Sequence, residues 1–268
     1  MANRLNDLSG REWIKFTKSW FVHNPPRRRA GELLHPAKFP ETLVAEFIRF
    51  FTHAGQWVLD PFLGTGSALV AAASCGRNGV GVELSEKYAT IARERVAAAA
   101  AGGEDCRQLV LQGDARRLRA LLAEAGIGQV DYCVTSPPYW NQLHRHSLRQ
   151  RDRAAEGLDT RYGESQADLG NIAGYEEFLA AQKEIFDQVY EVMVPGGYLT
   201  VITNNVYTAG RLFPLAFDTV RSLGATWVPK DERIWLQDDK RLLPLGLNSA
   251  WVGNRHHQYC LIFRKESG

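Results

Sequence analysis

The sequence predicts an α/β fold: a mostly parallel sheet with helices on both faces. Three observations predict it. Short apolar runs beginning near residues 56, 79, 108 and 130 alternate with helix-forming stretches, the pattern of parallel strands joined by right-handed crossovers. The first run leads into Asp60-Pro61-Phe62-Leu63-Gly64-Thr65-Gly66-Ser67, where glycines let the backbone turn tightly and approach a ligand closely. The fourth leads into Thr135-Ser136-Pro137-Pro138-Tyr139-Trp140. In open α/β sheets, ligands bind just past the carboxyl ends of the strands.

Residues 1–34 form an N-terminal extension in which Trp13, Phe16 and Trp20 recur at helical spacing. This predicts a short amphipathic helix packed on the domain, ended by Asn24-Pro25-Pro26. Leu43, Val44, Phe47, Ile48 and Phe51 predict a helix over 41–51, with Pro40 near its start. A strand over 56–59, a small-residue helix over 68–75 and a strand over 79–83 follow. Ser85 is a cap for the next helix, which reaches about Ala100. A strand over 108–111 ends at Gly113-Asp114, and a helix over 116–122 precedes the strand over 130–134. Two stretches, near 141–174 and 237–255, read as irregular loop inserts. Between them lie a helix over 175–192 closed by Pro195-Gly196-Gly197, a strand over 198–203, a helix over 213–223 and a strand within 226–236. The last strand covers 258–263.

The bulk numbers bound the function. The 268 residues are 45% hydrophobic and 23% charged, with a formal net charge of +2. That charge is too small to name a partner, but its distribution is uneven: Arg27, Arg28 and Arg29 form one block, and Arg145, Arg149, Arg151 and Arg153 follow the Pro-Pro corner. These are either solvated loop residues or phosphate contacts for nucleic acid. The four cysteines are far apart with no Cys-x-x-Cys pair, which argues against zinc and for a reducing compartment. His256-His257 has no cysteine or carboxylate cluster near it in sequence and reads as packing or surface rather than a metal site. No signal core or spanning apolar run is visible, so the expected location is cytoplasmic.

Carboxylates end three successive strands. Asp60 opens the glycine turn, Glu83 is placed to accept hydrogen bonds from ribose hydroxyls, and Asp114 could meet an adenine amine. The stretch lacks the full Gly-x-Gly-x-x-Gly of pyrophosphate binders and the Gly-Lys-Ser of a P-loop. A nucleoside without a diphosphate fits better, which points to S-adenosylmethionine.

Together, Asp60 to Gly66, Glu83, Asp114 and Thr135-Ser136-Pro137-Pro138-Tyr139 resemble the S-adenosylmethionine-dependent DNA amino-methyltransferases, which methylate N4 of cytosine or N6 of adenine. His35-Pro36-Ala37-Lys38-Phe39-Pro40 resembles the segment that family places ahead of the glycine turn, and Val194-Pro195-Gly196-Gly197-Tyr198 is a weaker likeness further on. The resemblance implies a Rossmann-like class I methyltransferase fold, with a seven-stranded, mostly parallel sheet whose last strand is antiparallel, in a single catalytic domain over 1–268. It implies a cofactor site at Phe39, Pro40, Asp60, Phe62, Gly64, Thr65, Gly66, Ser67, Glu83, Leu84 and Asp114, and a catalytic corner at Ser136, Pro137, Pro138 and Tyr139. The partner implied is double-stranded DNA with the target base flipped out. Recognition could come from either insert or from a second subunit in a homodimer. Serine at position 136 looks more like the cytosine-N4 branch; adenine N6, an RNA base, and a catalytically silent DNA-binding role are the alternatives. Carbon-5 methylation of cytosine needs a cysteine nucleophile, presented in a Pro-Cys pair that this sequence lacks.

Overall fold

The computed structural model describes residues 5–24, 39–100, 106–140 and 167–266. Its sheet is built from β1 (Trp20–Val22), β2 (Trp57–Asp60), β3 (Asn78–Glu83), β4 (Gln108–Gln112), β5 (Val130–Thr135), β6 (Met193–Thr203), β9 (Val228–Leu236) and β10 (His257–Arg264). A separate hairpin pairs β7 (Val206–Thr208) with β8 (Arg211–Phe213). The helices are α1 (Gly10–Phe16), α2 (Glu41–Phe51), α3 (Ser67–Ser74), α4 (Glu86–Ala100), α5 (Leu118–Glu124), α6 (Tyr175–Val192) and α7 (Leu215–Leu223).

The strand order is β1-β9-β10-β6-β5-β2-β3-β4. β10 runs antiparallel to both neighbours, and every other pairing in this sheet is parallel. The seven strands from β4 to β9 match the expected architecture, including the antiparallel last strand. The N-terminal segment adds an eighth at the β9 edge.

Strand side chains alternate between two faces, and the two cores follow that alternation. Val58, Tyr132, Val134, Ile202 and Cys260 pack with Leu43, Phe47 and Ile48 of α2, Leu69 of α3 and Ala92 of α4. Leu59, Cys133, Val201 and Leu261 pack on the other side with Leu118 of α5, Ile185 and Phe186 of α6, and Leu215 of α7. Helices therefore cover both faces. Each fully buried Leu, Ile or Phe contributes about 1.5–3 kcal/mol of apolar transfer free energy, which is why amphipathic α2 and α6 are held without special caps.

The N-terminal segment departs from the single-helix expectation. Ser9 and Glu12 form a capping box that starts α1, and Phe16 stacks on Phe50 with centroids 4.1 Å apart. Trp20 lies on β1 instead, because the sheet edge captures the chain: Ile234 N–H donates to the Ser19 carbonyl at 2.8 Å, and Arg233 Nε donates to the Lys18 carbonyl at 3.0 Å. The Arg233 guanidinium lies 4.0 Å from the Phe16 ring centre and 4.4 Å from that of Phe21.

A second departure concerns Pro195-Gly196-Gly197, which continue β6 rather than forming a closing turn. Gly196 adopts φ +83° and donates its N–H to the Lys265 carbonyl at 2.8 Å, while Lys265 returns one to Gly197 at 2.9 Å. Pairing with the end of β10 thus recruits the glycines into the strand. The cysteines are free thiols, three of them buried. Among the described residues, no helix is long and apolar enough to cross a membrane.

Candidate active site

β2 and β5 are neighbours, yet the chain leaves them in opposite directions, towards β3 and β4 on one side and β6 on the other. Such a reversal opens a crevice at the strands' carboxyl ends. A side-chain contact closes its floor: Thr135 Oγ1, ending β5, donates to Asp60 Oδ1, ending β2, at 2.5 Å. The same oxygen accepts the Phe62 N–H at 3.0 Å. Asp60 is completely buried, and its Oδ2 has no hydrogen-bond partner among the described residues. Burial pushes the Asp60 carboxyl up to about 7, although the hydrogen bonds from Thr135 and Phe62 oppose the shift.

Glu83, at the end of β3, is anchored by backbone donors. Gly64 N–H donates to its Oε2 at 2.8 Å and Ser85 N–H to its Oε1 at 2.8 Å. Burial pushes this carboxyl also up to about 7, and the charges of Asp60 and Asp168 add to the rise. The carboxylate therefore braces the glycine turn while each oxygen keeps a lone pair free for a further donor.

The turn itself needs its glycines. Gly66 caps α3 at φ +87°, and a Cβ there would lie 3.1 Å from Ala92 Cβ on α4. Leu63 N–H donates to the Val82 carbonyl at 2.9 Å, tying the turn to β3.

On the β5 side, Ser136 Oγ lies 3.1 Å from Tyr139 Oη. Tyr139 Oη donates to Gln258 Oε1 on β10 at 2.7 Å. Gln258 Nε2 lies 3.5 Å from Gln237 Oε1, which also accepts from the Lys240 ammonium. Burial pushes the Tyr139 phenol well above its ordinary range. Trp140 takes a left-handed φ of +47° and turns its ring inward. There it meets Phe213 at 4.6 Å and Tyr175 at 5.0 Å between centroids, and its Nε1 donates to the Ala173 carbonyl at 3.3 Å. Trp140 is thus core, and it fixes the direction in which the Pro-Pro corner leaves β5.

The sequence-expected residues fall into three groups. Asp60, Gly64, Glu83, Ser136 and Tyr139 make the contacts given above near the carboxyl ends of β2, β3 and β5, with Pro137 buried and Pro138 half-buried between Ser136 and Tyr139. A second group is present but turned to other partners. Asp114 forms a two-pronged ion pair with Arg116, 2.7 Å at its shortest; burial raises its carboxyl, and the guanidinium more than offsets this, leaving it below the usual range. Thr65 accepts from Arg95, which also pairs with Glu41. Phe39 and Pro40 are buried at the start of α2. Phe62 and Leu84 are half-buried, Phe62 against Phe186 with centroids 6.2 Å apart, and Ser67 Oγ is buried without a partner. The third group lies outside the described residues: Arg27, Arg28, Arg29, Arg145, Arg149, Arg151 and Arg153, and the segment from His35 to Lys38.

Sequence reasoning missed Asp168, Gln237 and Gln258. Asp168 is buried and caps a single 3-10 turn, accepting from Gly170 N–H at 2.8 Å. An Asx-type cap before Gly170 is a readable local signal, but its place beside Glu83 is not. Asn204 and Asn205, just past β6, hold structure on one atom each: Asn204 Nδ2 donates to the His257 carbonyl at 3.0 Å, and Asn205 Oδ1 accepts from Ala216 N–H at 3.0 Å.

A DNA methylase family model matches residues 6–94 and 130–267. Among curated proteins, the chain is similar to the putative methylase YubD of Escherichia coli (strain K12), 44% identical over 69 residues, which are 26% of this chain and 30% of that protein. It is also similar to the type II methyltransferase M.BglI of Bacillus subtilis, 36% identical over 91 residues, which are 34% of this chain and 26% of that protein. The matched stretch thus spans less than a third of these relatives' length. The crystal structure of NSun6 from Pyrococcus horikoshii shares the fold with TM-score 0.52 at 14% identity, over 87% of this chain and 53% of that one.

Proposed function

We propose a reaction for this chain, which belongs to the DNA methylase family: transfer of a methyl group from S-adenosylmethionine to an exocyclic amine of a DNA base, cytosine N4 in particular. The observation that supports it is the bond from Thr135, which directly precedes Ser136, to Asp60 across the β2–β5 switch point, with Glu83 ending the adjacent strand β3.

The residues present suit the cofactor. Asp60 Oδ2 is an orphaned buried acceptor, and Glu83 keeps lone pairs for the ribose hydroxyls. Two carboxyls poised near neutrality gain when a cationic, hydroxyl-bearing ligand settles beside them. Each oxygen of Asp114 already takes two contacts from Arg116, side chain and backbone N–H together, so an adenine amine bound there would share or displace part of that pairing. S-adenosylmethionine, when bound, supplies an electrophilic methyl group on a sulfonium sulfur.

The chain's own residues address the nucleophile. An exocyclic amine is weakly nucleophilic because its lone pair is delocalised into the ring. Ser136 Oγ and the Pro137 carbonyl accept its two hydrogens and localise the lone pair on nitrogen. The Pro-Pro corner fixes φ at both positions, so these acceptors are preorganised. Tyr139 stacks on the flipped base, a contact of about 1–3 kcal/mol per base. The nitrogen becomes acidic once alkylated and loses one proton to solvent, so no strong base is required. Serine at position 136, which resembles the cytosine-N4 branch, supports cytosine N4. The arginine blocks at 27–29 and 145–153 would hold the DNA phosphates.

The test is incubation of the purified protein with methyl-labelled cofactor and mixed-sequence DNA, followed by digestion to nucleosides. Label in N4-methylcytosine is expected. Label confined to N6-methyladenine overturns the choice of base, and label that appears only when RNA is supplied overturns the choice of nucleic acid.

A further inference from the structure

We propose that Gln258 is a positioning residue: through Tyr139 it fixes Ser136 as a pure hydrogen-bond acceptor towards the crevice. The assignment follows from counting protons along the chain Lys240–Gln237–Gln258–Tyr139–Ser136. A lysine ammonium carries donors only, so the Gln237 atom it meets is the carbonyl oxygen, Oε1. That oxygen faces Gln258 at 3.5 Å and requires the amide nitrogen of Gln258 on that side. Gln258 must then present its own carbonyl oxygen to Tyr139, 2.7 Å away. An amide oxygen has no proton to give, so the phenol donates and its single proton is spent. The 3.1 Å contact between Ser136 Oγ and Tyr139 Oη consequently takes its proton from the serine. Ser136 is left with lone pairs alone for an incoming group.

This polarity selects chemistry. A site whose hydroxyl can only accept favours an N–H donor, such as the amine of a base, and disfavours a carbonyl at the same place. Burial of the relay strengthens the discrimination: Gln237 is 5% exposed, and in such surroundings a misdirected or unmatched polar group is costly. The relay also connects chemistry to the 237–255 insert, because Gln237 and Lys240 belong to it and Gln237 N–H donates to the His256 carbonyl at 2.7 Å at its base. The polarity rests on these contacts alone; its catalytic consequence rests on the amine-methylation reading above.

Two measurements test the inference. Neutron diffraction from the deuterated wild-type protein locates the hydroxyl deuterons. The Tyr139 deuteron is expected on the line to Gln258 Oε1 and that of Ser136 on the line to Tyr139 Oη; a Tyr139 deuteron aimed at Ser136 overturns the relay. Kinetics then read its consequence. Gln258→Leu removes the acceptor, frees Tyr139 to donate to Ser136, and is expected to lower kcat about 10–100-fold. Its cofactor KM should stay within about 3-fold of wild type. Gln258→Glu keeps an oxygen acceptor facing the Tyr139 phenol in both protonation states, because a carboxyl proton is taken up by Gln237 Oε1, so it is expected to recover most of the lost kcat. A residue serving only to fill space would give equal losses in both variants, and that result overturns the role. If the deuterons lie as stated while the wild-type protein methylates no DNA, the polarity stands and the DNA reading falls.

Discussion

The two sides of the crevice hold their functional groups by different means. On the β2–β3 side, carboxylates are held mainly by backbone N–H groups close along the chain or one strand away, Phe62 on Asp60, Ser85 and Gly64 on Glu83, with one side chain, Thr135, added on Asp60. On the β5–β10 side, side chains are fixed by other side chains, and Tyr139 and Gln258 are 119 residues apart. Backbone donors persist whatever the neighbouring side chains become, so the first arrangement tolerates substitution around it. The second can be re-aimed by one distant replacement. The first side is suited to holding one constant ligand, and the second to reading the hydrogen-bonding pattern of a substrate.

The largest effect that tests this division is a separation of binding from transfer. Ser136→Ala is expected to reduce methyl transfer about 10²–10³-fold, as loss of a preorganised polar group does, with cofactor affinity by calorimetry nearly unchanged. Glu83→Ala is expected to do the reverse first, weakening cofactor binding. Equal loss of affinity in the two variants would erase the distinction.

Next in size is a pH dependence confined to the β2–β3 side. Asp60 and Glu83 stand at about 7 in the folded protein, above their ordinary values of 3.8 and 4.5. As pH rises from about 4 to about 7, an unfolded chain has released these protons while the folded one still binds them, so stability falls across that window and levels off above it. Asp60→Asn keeps an acceptor for Thr135 and removes its share of the fall. The stability of the variant relative to wild type, from denaturant titrations of ligand-free protein, should therefore rise between those limits. Parallel curves would show that the carboxyl is ionised throughout.

The smallest is steric. Gly66→Ala forces a left-handed φ on a residue with a Cβ and presses that atom against Ala92 at 3.1 Å. A loss of about 1–3 kcal/mol is expected, read as a lower denaturation midpoint at constant slope. No loss would mean that the turn can relax and that its rigidity is less than the backbone contacts indicate.

Legibility followed the same division. Asp60, the glycine turn and Glu83 could be read because each is set by its own strand and the turn that follows, and the period and turn chemistry of a strand–turn–helix unit are local. Trp20 was misplaced because helical spacing within the N-terminal extension competes with a sheet edge supplied by β9, more than 200 residues later. Pro195 to Gly197 were read as a terminator, correctly for α6, but their pairing with the end of β10 could not be seen locally. Gln237 and Gln258 carried no motif at all, and the local cap signal at Asp168 did not give its place beside Glu83.

By itself, the sequence determined the alternation of strands and helices, the antiparallel last strand through the family likeness, and the residues at the carboxyl ends of β2, β3 and β5, because periodicity, proline and glycine act within a few residues. Only the tertiary structure decided which way Asp114 and Thr65 face, that the N-terminal segment becomes an eighth strand, and that Gln258 meets Tyr139. Those outcomes depend on strand order and register, and a one-residue shift of β10 would turn Gln258 to the other face of the sheet.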